Sequence, residues 1–174
     1  MCLMNLSYAF PPFIGYILDI YEYEFKVAAM AGNIFNFSGI AGALFSGVIM
    51  AKWEKFKRAT YMVLFLTLGL LIMLYASIVV KNVAFLYTSF ALTGFVGISI
   101  YGFVYEMLVE VGSPMTEAFV GGMVNLAANM GSFIFVVIFT EILKPRNETS
   151  VMIIFIILCI TMIIAIVLMR FVKF

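Results

Sequence analysis

Long apolar runs alternate with short polar breaks along the whole chain. A helix needs about 20 mostly apolar residues to cross a bilayer. Six runs are long enough: about 1–20 (with Pro11-Pro12 inside it), 27–50, 59–80, 83–108, 116–141 and 150–170. None alternates with the period of two that marks a strand. The pattern predicts an all-α membrane protein, a single six-transmembrane-helix domain over residues 1–174. Because the breaks are short, neighbouring helices should run antiparallel.

Composition strengthens this picture. The chain is 66% hydrophobic and 11% charged, with a mean hydropathy of +1.19. A soluble domain is about half apolar and a quarter charged. The first partner expected is therefore the lipid bilayer. Ten basic residues face nine acidic ones, a net charge of +1, and no basic excess points to nucleic acid. With no histidine in the chain, His-based triads and most transition-metal sites are excluded. Cys2 and Cys159 form no CxxC pair, so neither a disulfide framework nor a zinc site is expected. Cys159 lies in the run IIFIILCITMII and reads as a small packing or lipid-facing residue. No nucleophile–base pair is apparent, so no enzyme activity, metal or cofactor is expected.

Basic residues near helix ends set the orientation. The loop KWEKFKR holds Lys52, Lys55, Lys57 and Arg58, and Arg170 and Lys173 fall on the same side. The other side holds Lys26, Lys81, Lys144 and Arg146. This places KWEKFKR in the cytosol and the sequon Asn147-Glu148-Thr149 outside. In the second span Gly39, Ala43 and Gly47 recur every four residues. Small residues at that period suit close helix packing in lipid.

The stretch VYEMLVEVGSPMTEAFVGGMVN places three carboxylates among apolar runs. Glu106 and Glu110 share one face at the end of the fourth span. Pro114 breaks the helix, and Glu117 opens the fifth span, where a carboxylate favours the helix dipole. Two readings stay open. The acids neutralise the nearby basic loop, or Glu106, the deepest, acts in gating or coupling, because an acid inside a span is costly without a cavity or partner. Asn125 and Asn129 form a polar pair on span five, and Asn33 and Asn36 a less regular one on span two. Amides suit lipid poorly, so both argue for polar interior stripes. Tyr8, Tyr16, Tyr101 and Tyr105 are candidates to line the same interior. Tyr21, Tyr23 and Trp53 read as interfacial anchors.

Six spans, a basic loop after the second, and polar points on the first, second, fourth and fifth resemble one half of a major facilitator superfamily transporter, in the order of the C-terminal half. Such a fold pairs two six-helix halves around a central substrate site. In GVIMAKWEKFKRAT, Gly47, Lys52 and the later basic residues are similar to the family's loop signature, whereas Ala51 stands where an acid is usual. GFVYEMLVEVGSPMTEAFVGGMVN resembles the feline leukaemia virus subgroup C receptor-related transporters, a family associated with choline, ethanolamine and haem. Glu106, Glu110, Pro114, Glu117 and Asn125 match in order and spacing. The resemblance implies that Tyr8 offers an aromatic face to a cation, and that Asn129 replaces a glutamine.

Two functions follow. The first is transport of a small polar or cationic organic solute by alternating access, with Tyr8, Asn125 and Asn129 binding and Glu106, Glu110 and Glu117 gating or coupling. It requires a missing N-terminal half or a second six-helix chain. The second is a non-transporting membrane scaffold or assembly subunit derived from such a half.

Overall fold

Breaks in hydrophobicity become turns between the helices. The structure, a computed structural model, describes residues 10–50, 56–112 and 115–171. Among these, a 3-10 turn at Pro11–Phe13 leads into six α-helices: α1 Ile14–Ile20, α2 Phe25–Met50, α3 Phe56–Val80, α4 Val83–Val111, α5 Glu117–Leu143 and α6 Glu148–Met169. Five of them, α2 to α6, are long and apolar enough to cross a membrane. The expected first span, 1–20, is described only from Phe10, and its helical part begins at Ile14, just after the two prolines.

Asn82 caps α4, its Oδ1 accepting from the backbone N–H of Ala84 at 3.0 Å and of Phe85 at 3.3 Å. Glu117 and Glu148 occupy the first turns of α5 and α6, where negative charge meets the positive end of the helix dipole. The connections at one end of the bundle turn through a left-handed residue that is not glycine: Glu22, Lys81 and Arg146. Ion pairs tie these connections together. Lys81 Nζ lies 3.9 Å from Glu22, and Arg146 lies 3.2 Å from Asp19 at the end of α1.

Packing is tightest between α2 and α4, which are not neighbours in sequence. Gly42 lies against the Phe95 backbone and Gly94 against that of Phe35, leaving no room for a β-carbon at either. The face that meets α4 is Gly39, Gly42 and Ser46, with Gly102 opposite Ser46. This corrects the four-residue stripe expected from sequence. Ala43 is exposed, and nothing approaches Gly47. Spacings of three and then four follow the seam of a shallow left-handed crossing rather than a strict i, i+4 ridge.

An aromatic chain fills the centre. Phe10, Phe35, Phe90 and Phe155 are buried, with ring centroids 5.9 to 6.5 Å apart along the series Phe155, Phe10, Phe35, Phe90. Buried hydroxyls bond back to their own helices: Thr67 to the Val63 carbonyl, Ser77 to Leu74, Ser89 to Phe85 and Ser99 to Val96. Among the described residues no buried side-chain nitrogen or oxygen lacks a partner, as a low-dielectric interior demands.

Candidate functional site

Helix α5 carries the best-described part of the expected site. Asn125 and Asn129 are both exposed, one turn apart. The Asn129 amide donates to the Asn125 carbonyl at 2.9 Å. Around them the same helix exposes Leu126, Met130 and Phe133, the last at 70%. On α2, Asn33 and Asn36 are also exposed, beside Phe37 and Ile40. Two membrane-spanning helices thus turn amides outward from the bundle. Both buried faces are instead built from small and apolar residues.

Glu117 is exposed in the first turn of α5, two turns before Asn125. Glu106 and Glu110 lie in the last two turns of α4, but their side chains are outside the described residues. Tyr8 and Ala51 are outside them as well. Tyr105 on α4 sets its hydroxyl against Gly121 of α5, which accounts for a small residue there. Tyr101 is half-buried and packs against the core.

Tyr21 is not the interfacial anchor expected. It is 4% exposed. Burial, then the neighbouring Tyr75 hydroxyl and the Glu148 carboxylate, push its phenol up to about 12. Tyr23 keeps an anchoring role, its hydroxyl donating to the Ile78 carbonyl at 3.2 Å, and burial raises its pKa too.

Sequence reasoning missed a cluster at the end where the left-handed turns lie. Arg146 Nε donates to the Tyr16 hydroxyl at 3.2 Å, its other arm reaches Asp19, and its guanidinium carbon sits 5.1 Å from the Tyr16 ring centroid. The Tyr16 hydroxyl and the Asp19 charge raise the Arg146 pKa. Tyr16 and Asp19 are three apart on α1 and so share a face. That spacing was visible, but its partner 127 residues away from Asp19 was not. A cavity of about 230 Å³ adjoins this cluster, lined by Gly15, Tyr16, Asp19, Tyr23, Phe25 and Ala28. A second, of about 460 Å³, lies between the α1–α2 and α3–α4 connections and takes in Glu22, Glu24 and Lys81.

No family model matches the chain. Over 114 residues it is 24% identical to an uncharacterized MFS-type transporter of Caenorhabditis elegans, a stretch covering 66% of this chain and 20% of that protein. The chain thus matches about one fifth of the length of that curated relative. The likeness is weak, but it falls on a transporter protein, in keeping with helices long and apolar enough to cross a membrane. Five long apolar helices, together with a transporter as relative, make this chain a multi-pass integral membrane protein.

Proposed function

We propose that the chain is one half of a major facilitator transporter and moves a small polar or cationic organic solute by alternating access, completed by another six-helix half. The observation that carries this reading is the outward set of amides, Asn33 and Asn36 on α2 and Asn125 and Asn129 on α5. In lipid each unsatisfied polar group costs several kcal/mol, and Asn129 meets only part of that need through its bond to the Asn125 carbonyl. Opposite a second half they would border a wet, polar seam, where that cost disappears. The weak similarity to an MFS-type transporter supports the same architecture.

The resemblance of residues 102–125 to the feline leukaemia virus subgroup C receptor-related transporters supports an amine as the solute class. In this reading Tyr8 gives a π face to the cation, worth about 0.5 to 2 kcal/mol. Asn129 orients a hydroxyl or carbonyl by a hydrogen bond of about 1 kcal/mol net. Glu106, Glu110 and Glu117 form the gating or coupling corner. The test is uptake of radiolabelled choline and ethanolamine into vesicles holding this chain with a co-expressed N-terminal half. Asn129→Ala and Tyr8→Ala should each weaken uptake by a few-fold to about thirtyfold. Uptake absent from the completed assembly would leave the scaffold reading.

A further inference from the structure

Helices α3 and α6 run side by side with an open slot of about 210 Å³ between them. Its floor is Leu71 and Phe155, both buried, with the Tyr75 and Phe155 rings 5.2 Å apart. Its rims are Ile72 on α3 and Ile156 and Ile160 on α6, exposed by 60%, 47% and 51%. Cys159 also lines it, and its short side chain keeps the slot open. No polar side-chain atom opens into it. From Met152 to Ile160 the slot follows α6 for about 12 Å, at a helical rise of about 1.5 Å per residue.

The mouth has a different character. Glu148 begins α6 one turn above Met152 and is exposed. Its charge is felt by Tyr21, which contacts Tyr75 at the same end of the slot. An acid therefore stands over an apolar channel that runs along a membrane-spanning helix.

We propose that this slot holds one acyl chain of a membrane phospholipid whose ammonium head group lies at Glu148. An acyl chain is narrow and apolar throughout, and it already lies along the membrane normal. The acid at the mouth attracts the ammonium of a choline or ethanolamine lipid and repels a lipid with net negative charge. The inference does not depend on transport.

The test uses the full chain reconstituted in phosphatidylcholine vesicles containing a trace of phosphatidylcholine with a photoactivatable diazirine on its acyl chain. After illumination, adducts are mapped by peptide mass spectrometry. They should concentrate on Ile72, Ile156, Cys159 and Ile160. Cys159→Phe should lower the yield there by about fivefold or more, since the ring would occupy the space that the short thiol leaves open. Cys159→Val, a smaller change that spares folding, should lower it less but in the same direction. An equivalent phosphatidylglycerol probe should label the slot less, and Glu148→Gln should remove that difference. Adducts spread evenly over the exposed faces of α2, α5 and α6 would overturn the slot. Equal labelling by the two probes would overturn the head-group assignment.

Discussion

A β-carbon at Gly42 or Gly94 would overlap a backbone carbonyl oxygen of the facing helix. Backbone cannot swing aside as a side-chain tip can, so α2 and α4 would have to separate. Gly42→Ala and Gly94→Ala should each destabilise the protein by about 1 to 3 kcal/mol, read as a lower thermal midpoint in detergent. Gly32 and Gly47 have open space around them. Alanine there should be neutral or stabilising by up to about 1 kcal/mol from helix propensity alone. Equal effects at all four would refute the helix seam. The sequence showed that α2 was rich in small residues, but its four-residue repeat picked Ala43, which is exposed, and Gly47, which nothing approaches, over Gly42 and Ser46, which meet α4. Tyr21 gives a second residue-scale expectation. An unfolded tyrosine ionises near pH 10, and the folded one at about 12. Stability from the buried neutral phenol is complete below pH 10. It falls as pH rises to 12, because there the unfolded state binds fewer protons than the folded state. Tyr21→Phe should lessen that alkaline loss in melts taken between pH 9 and 12. An unchanged slope would remove Tyr21 from the account.

Helix α1 is joined to the α5–α6 connection by Arg146, which reaches Tyr16 and Asp19 together. Arg146 and Asp19 are both well exposed, so the clasp is open to salt. Arg146→Ala should speed thiol labelling of a cysteine placed at Gly15, and high salt should mimic the substitution in the parent protein. Labelling indifferent to both would mean that α1 is held by its buried face alone. At this scale much was legible beforehand. The five long helices begin and end within a few residues of the apolar runs, because lipid sets their lengths. Their ends were less so: α4 runs on to Val111 rather than 108. Helices extend until a cap or proline stops them, whatever the hydropathy. That Asn125 and Asn129 share a face was readable from i, i+4 spacing, but its direction was not: the amides face outward from the bundle rather than into an interior stripe. The Arg146 clasp was not, since no local pattern pairs residues so distant in sequence.

The bundle has two unlike ends. One gathers Asp19, Glu22, Lys81 and Arg146 in tight ion-paired turns, and the other carries the start of α3, with Arg58 exposed there. Cysteines replacing Glu24 or Asn82 should react with impermeant reagents from outside intact cells, and cysteines in KWEKFKR only after the membrane is opened. The reverse result would invert the protein. The seam between α2 and α4 also has a consequence for biosynthesis. The partners are separated by the whole of α3, so α2 must enter the membrane before the helix that fills its glycine groove exists. At about 5 to 20 residues per second, the ribosome leaves that groove open to lipid for several seconds. A nascent chain halted after Val80 should therefore be cleared by quality-control proteases far faster than one halted after Val111. The fourth helix, more than the number of spans already inserted, decides when this chain becomes durable.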